Sequence, residues 1–389
     1  MTESTSSPWL VDRTHLFVGG RWVEPHGTTT FHVRQPATLA HVGSAILADE
    51  RDVDAAVSEA RRSFDSGVWS GASRAERGAV LSRAADLLES WAPDLAVSLT
   101  SELGCPIWFS QRAHVPNPIR HLRYYAGLAE TYPFEETRTD GTNTSLVTQE
   151  PAGVVAAITP WNGPLSTPSL KVAPALAAGC SVVLKSSPET PLSIFAMAEA
   201  FSRAGLPEGV LSILPGDRDA GAHLVAHPDV DKIAFTGSTA AGKAIMASAA
   251  QRIARVTLEL GGKSAAILLD DADVEAVAKA VLPMALMVNG QACIAQTRVL
   301  VPHRLRSALV EAMADLMGRE VVGDPLDPAT TIGPMVSERQ RDRVAGYVQT
   351  GRAEGARVIV PGAGTSALDA GLAGGWFVPP TLLDEVTNG

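Results

Sequence analysis

The sequence predicts an α/β protein with a doubly wound parallel-sheet domain, a second α/β domain and a small bridging β-hairpin. Three observations lead there. From Gly153, short apolar strands (GVVAAIT, SVVLK, VLSIL, KIAFT) alternate with helices of about 10–15 residues, the pattern of a parallel sheet covered on both faces. After Gly261, SAAILLDDADVEAVAKAVL opens a second unit of the same kind. Between the first helices and the first sheet strand, TYPFEETRTDGTNTSLVTQ is polar and has two strand-like segments around the turn pair Asp140–Gly141. A two-stranded ribbon is marginal alone, so it is expected to pack on something, such as another subunit. The expected domains are 1–132 with 152–260, the hairpin 133–151, and 261–389.

The chain's 389 residues exceed one ordinary core. A net charge of −10 provides no basic stripe for phosphates, which argues against nucleic acid as a partner. No apolar run approaches the roughly 18 residues a membrane helix needs, and the N-terminus does not read as a signal peptide. Cys105, Cys180 and Cys293 are few, odd in number and far apart, which fits no disulfide framework and points to a reducing cytoplasm.

In chain order, LFVGGRWV and the stretch around HVGSAIL read as strands. DVDAAVSEARRSF reads as a helix capped by Asp52, with Val53, Ala56, Ala60 and Phe64 on one face. RAERGAVLSRAADLLESWA reads as a second helix, interrupted at Pro93, and Pro118–Ala129 as a third. SLKVAPALAAG and SIFAMAEAFSRAG each end on glycine, Gly179 and Gly205. Beyond Gly261, helices are expected near 304–318 and 338–354, with a strand at RVIV.

The chemistry concentrates between Arg255 and Arg298. Glu259 stands between Leu258 and Leu260 and before Gly261 and Gly262. This reads as a general base in a low-dielectric cleft, its pKa raised by desolvation. Cys293, 34 residues later, lies in a short turn between a helix and a strand, where a nucleophile is reachable. The expectation is that the two converge on one pocket. A free cysteine is otherwise usually a buried small hydrophobe, and Cys105 and Cys180 keep that reading.

Gly237, Gly242 and Lys243 in AFTGSTAAGKA approximate a P-loop, but Ala244 stands where that loop needs a Ser or Thr on its metal. Two other readings are a helix N-terminus meeting a dinucleotide pyrophosphate, with Ser238 adding a hydroxyl, and a glycine turn that binds nothing. Asn162, after TPW at the end of the first sheet strand, either donates to an oxyanion or caps a turn. Lys185 ends a strand where such sheets meet ligand, or is simply solvated. His223 and His227 are a helix turn apart with no third ligand apparent, so no metal is assigned.

In this order TPWN (159–162), FTGSTAAGK (235–243), LELGGKS (258–264) and GQAC (290–293) resemble the aldehyde dehydrogenase superfamily, from about Leu16 to the last residue. The resemblance implies NAD- or NADP-dependent oxidation of a small-molecule aldehyde to a carboxylate, by a homodimer or homotetramer if the chain is full length. The first domain then holds the cofactor, and the second is catalytic. Cys293 matches the nucleophile, Glu259 the base that activates water, Asn162 the oxyanion donor and Lys171 a supporting lysine. Thr159, Pro160, Trp161, Lys185, Phe235, Gly237, Ser238, Gly242, Leu260, Gly261, Gln340 and Arg343 match cofactor contacts. Glu259 favours hydrolysis over acyl transfer to coenzyme A.

Three departures qualify these expectations. Many members carry a Glu three residues after the ribose lysine, favouring NAD; here Pro188 stands there and the acid is Glu189. The family's E-x-F-G-P motif does not follow TLLDEVTNG, so a C-terminally truncated chain is expected, with a catalytically impaired nucleotide-binding remnant as the alternative. Small residues after Asn162 (Gly163, Ser166, Thr167, Ser169) imply a roomy tunnel for bulkier aldehydes.

Overall fold

The computed structural model describes residues 7–360 and 368–387. It separates into two compact units. One comprises Met1–His32, Gly43–Leu95 and Gln111–Leu260, the other Val33–Val42, Ala96–Ser110 and Gly261–Gly389.

The first unit is built on a seven-stranded sheet. In spatial order the strands are Arg255–Leu260, Lys232–Gly237, Val154–Ile158, Ser181–Ser186, Leu211–Pro215, Leu16–Val18 and Arg21–Val23. The first five run parallel, and the last two add an antiparallel edge. Alternation along the strands divides the core. Val154, Ala156 and Ile158 pack with Val53, Val57, Leu224 and Ile245 on one face. The helix Ser166–Ala177 lies against Val154–Ile158 and Ser181–Ser186, and Arg74–Ser90 packs on it and on Pro116–Thr131. The helices after Ser166 and Ile194 end before Gly179 and Gly205, both at positive φ (91° and 81°), where glycine carries no Cβ penalty.

Two local expectations change. The first helix is Glu50–Asp65, capped by Asp49 rather than Asp52. Asp52 sits one turn inside, buried, and its carboxylate accepts from the backbone N–H of His26, Gly27 and Asp49. The pair forms a capping box, so the acid three residues in serves the cap instead of being it. Pro93 does not mark a lasting break either. It lies in the first turn of a further helix, Ala92–Leu103, where its missing N–H is not needed.

The segment expected to bridge forms a two-stranded antiparallel ribbon, Glu135–Thr139 with Thr144–Thr148, exposed along almost its whole length. Asp140 closes the turn by accepting from the N–H of Thr142 and Asn143. At its root the Phe134 ring lies under the guanidinium groups of Arg74 and Arg77.

The second unit has a small apolar core in which helices Val274–Ala285 and His303–Met317 bury Ala278, Val281, Leu282, Leu309, Met313 and Met317 with Leu268. Strand Ala265–Ile267 pairs parallel with Arg298–Leu300, and Arg357–Ile359 pairs antiparallel with Leu382–Asp384. The buried Asp384 carboxylate takes both arms of Arg306 (2.8 and 2.9 Å) and one of Arg357 (2.7 Å), which hold it well below the usual carboxylate range. Residues Val33–Val42 and Ala96–Ser110, expected in the first domain, belong here because their backbone is bonded here. Trp376 N–H donates to Pro36 O, and Ile107 N–H to Pro325 O.

The largest fully buried side chain is Trp69, whose indole N–H donates to Leu176 O at 3.0 Å. Trp69→Ala leaves both a cavity and an unpaired carbonyl. It is expected to lower the unfolding free energy of the first unit by about 3–5 kcal/mol, read by urea titration with tryptophan-independent circular dichroism.

Candidate active site

The parallel strands of the first unit bring their carboxyl ends to one edge, and the residues just past them come from the predicted motifs. Thr159 follows Val154–Ile158, and its N–H bonds Lys185 O at the end of the neighbouring strand. The Thr159 and Ser186 hydroxyls are buried and have no protein partner. Trp161 is held by its carbonyl, which accepts from Thr190 Oγ1 at 3.0 Å, and Asn162 is half-buried in the bend that follows.

Lys185 is buried, not solvated. Its alkyl stem runs beside Gly216 and Gly221, where an added Cβ would sit about 3.5 Å from the lysine carbons. Burial pulls its pKa down to about 8, while Glu189 and Asp217 pull it back up. Lys171, buried on helix Ser166–Ala177, is likewise lowered to about 8 by burial, with Glu259 opposing and Lys232 assisting.

Only Ser238 separates strand Lys232–Gly237 from helix Thr239–Ala250, so Gly242 and Lys243 lie inside the helix. No loop remains to wrap a phosphate, and the P-loop reading falls. Ser238 Oγ accepts from Ala241 N–H, which leaves its proton free to donate at the helix N-terminus. Gly237 has no room for a Cβ, which would lie 2.4 Å from the Phe235 ring. At Gly242 an added Cβ would lie 2.8 Å from Leu260.

Glu259 departs from expectation. It is exposed, on the strand Arg255–Leu260, which among the described residues has a neighbour on one side only. The flanking Leu258 and Leu260 do not bury it, because alternate residues of a strand point to opposite faces. Gly261 is open as well.

In the second unit Cys293 is exposed, whereas Cys105 and Cys180 are buried. The turn before it is unusual. Val288, Asn289 and Gly290 are all left-handed, at φ 54°, 56° and 76°. Left-handed backbone costs an L-residue about 1–2 kcal/mol, and for β-branched Val288 it is a true outlier. The Asn289 amide donates to Gly104 O (2.9 Å) and Pro334 O (2.8 Å), and its carbonyl accepts from Gly333 N–H (2.9 Å). Gln291 accepts from Val336 N–H and donates to Val288 O, both at 3.1 Å. This clamp was missed from sequence, although Asn-Gly is a known left-handed signal. Gln340 is half-buried in the first turn of helix Glu338–Ala353, and exposed Arg343 lies over the Tyr347 ring.

His223 and His227 do find an acid, Asp54, at 2.6 and 3.6 Å. Among the described residues no group of three metal-ligating side chains has metal-binding geometry, and no helix is long and apolar enough to cross a membrane.

The model of the aldehyde dehydrogenase family matches residues 22–389. The chain belongs to the aldehyde dehydrogenase family. Among aldehyde dehydrogenase relatives, a geranial dehydrogenase of Castellaniella defragrans is 44% identical, over 97% of this chain and 78% of that one. A 3-succinoylsemialdehyde-pyridine dehydrogenase of a Pseudomonas species is 41% identical over the same shares. The NAD+ complex of a Mycobacterium tuberculosis aldehyde dehydrogenase superposes with a TM-score of 0.93 at 42% identity, covering 97% of this chain and 77% of that one.

A lysine whose pKa is lower in the folded chain than in the unfolded one penalises folding wherever it stays charged in both. That penalty is full below about pH 8 and fades as pH rises toward 10.5. Lys185→Met is therefore expected to stabilise the chain at pH 7 by up to about 3 kcal/mol, the gain shrinking above pH 8, as measured by denaturant titration across pH.

Proposed function

We propose that this chain oxidises an aldehyde to a carboxylate with NAD+, using Cys293 as nucleophile and Glu259 as base. The observation that carries the reading is the accessible Cys293 thiol, at the end of a turn stapled in a strained conformation, in a chain of this family. The Cys293 thiolate adds to the aldehyde carbon, forming a C–S bond, and the carbonyl oxygen becomes an oxyanion. Asn162 and the Cys293 N–H donate to that oxygen. When bound, the dinucleotide supplies the hydride acceptor for the carbon held on sulfur. Glu259 then takes a proton from water, whose oxygen attacks the thioester; the C–S bond breaks and the thiolate is restored. Glu259 is reachable by water because it is exposed, and it interacts electrostatically with the buried Lys171.

The first unit's residues fit the dinucleotide. Lys185 and the unpartnered hydroxyls of Thr159 and Ser186 offer donors for sugar hydroxyls, and Ser238 with the helix N-terminus suits a pyrophosphate. The family resemblance assigns Pro160, Trp161, Phe235, Gly237, Gly242, Leu260 and Gly261 to cofactor contacts, and Gln340 and Arg343 to the nicotinamide-side ribose. Glu189, bonded by Ser187 Oγ and electrostatically coupled to Lys185, supplies the negative charge that disfavours a 2′-phosphate. NAD is therefore favoured over NADP.

The substrate is assigned as a bulky aldehyde. The geranial dehydrogenase and 3-succinoylsemialdehyde-pyridine dehydrogenase relatives support this; Gly163 does not, because it is buried and a Cβ there would lie 2.6 Å from Thr167 Oγ1 and 2.8 Å from Ser166 Oγ. Ser169 does not, because its hydroxyl is buried against His121. The exposed ribbon of Glu135–Thr148, with Leu146 largely bare, is the surface on which copies of the chain would pair, in a cytoplasmic homo-oligomer.

Cys293→Ala is expected to abolish NADH formation with every aldehyde tested. Glu259→Gln is expected to leave a first-turnover burst of NADH and then stall, with an acyl adduct on the chain visible by mass spectrometry. Turnover by Cys293→Ala would remove the assignment. Lys185→Met, though more stable, should bind NAD+ at least about tenfold more weakly by calorimetry. Glu189→Gln should narrow the preference for NAD+ over NADP+ in parallel titrations.

A further inference from the structure

We propose that Asn289 is a positioning residue for Cys293: its side-chain amide, not its backbone preference alone, sets the thiol's orientation. The inference rests on the assignment of Cys293 as nucleophile and concerns how the turn before it is held.

Three consecutive left-handed residues make a compact turn that relaxes unless something prevents it. Asn289 is the one member whose side chain reaches out. It binds three backbone groups on two other segments, using both amide hydrogens and its oxygen. Those segments meet so closely that glycine is required on both. A Cβ on Gly333 would lie 2.0 Å from Gly104 O and 3.1 Å from Asn289 Nδ2, and one on Gly104, itself at φ 78°, 2.8 Å from the Pro334 ring. Gln291 adds a second tie from the same turn to Val336 N–H, two residues beyond Pro334. Asn289 and Gln291 thus both tie the turn to the Gly333–Val336 segment, and Asn289 alone ties it to Gly104 as well; Cys293 follows Asn289 by four residues. All three hydrogen bonds of the Asn289 amide go to protein backbone. The consequence of this arrangement is a fixed direction for the Cys293 Sγ and N–H.

Asparagine could be present here merely because it tolerates positive φ. Asn289→Gly separates the two roles: glycine adopts the same backbone at no steric cost but has no amide. Asn289→Asp keeps the shape and the acceptor for Gly333 N–H, yet turns a carboxylate oxygen toward the Gly104 and Pro334 carbonyls. Both variants are expected to lose about 10- to 100-fold in kcat while the KM for NAD+ stays as in the parent chain. The rate at which iodoacetamide alkylates Cys293 should change in both, with Cys293→Ala as the blank. Compared with the parent chain at the same pH, Asn289→Asp should recover part of its kcat and of its alkylation rate as pH falls through the carboxylate range, because a protonated Asp again donates. Alkylation does not depend on turnover, so it reads the clamp even if the nucleophile assignment fails. Parent-like kcat and alkylation in Asn289→Gly would overturn the proposal. Were that variant unfolded by circular dichroism, a pH-independent, parent-like Asn289→Asp would overturn it equally.

Discussion

Parallel pairing in register is the constraint on which the first unit depends. Five strands run the same way, so their carboxyl ends arrive together and the chain must leave each one at the same edge. Thr159, Ser186 and Ser238 are brought near one another by that geometry, not by any attraction between them. Backbone bonding carries the register one residue past the strand, as Thr159 N–H to Lys185 O and Gly216 N–H to Ser186 O show. Buried hydroxyls and a buried lysine are tolerated there at a cost to folding, and a site that binds a polar ligand is where such a cost is kept.

The second unit solves a different problem with the same economy of means. The proposed nucleophile must be accessible and still point one way, and accessible turns are usually mobile. Here strain and hydrogen bonding act together. The left-handed run shortens the turn, and the amides of Asn289 and Gln291 hold it against relaxation.

Much of this was legible in the sequence. Short apolar strands ending in TPWN, VLK and FTG announce a parallel sheet, and Gly179 and Gly205 announce the ends of its helices. What stayed hidden depends on partners distant in sequence. Leu258 and Leu260 suggested a buried Glu259, but no local pattern reveals that the strand has, among the described residues, a neighbour on one side only. Asp52 looked like a cap until Asp49 took that role and freed it to bind His26 and Gly27. The transfer of Val33–Val42 and Ala96–Ser110 to the second unit rests on contacts far apart in sequence: Trp376 N–H on Pro36 O, Ala37 packed with Leu372 and Phe377, Ile107 N–H on Pro325 O and Asn289 on Gly104 O. Asn289 reads as an ordinary turn residue until Gly104 and Gly333 are seen beside it.

The proposed function places the dinucleotide along the carboxyl-end edge of the parallel sheet. Amide hydrogen exchange of the whole chain, with and without saturating NAD+, tests it most directly. Slowed exchange at Trp161, Ser187 and Ser238–Thr239, with the ribbon of Glu135–Thr148 unchanged, is the result the geometry requires. Unaltered exchange at those amides while NAD+ is demonstrably bound would contradict it.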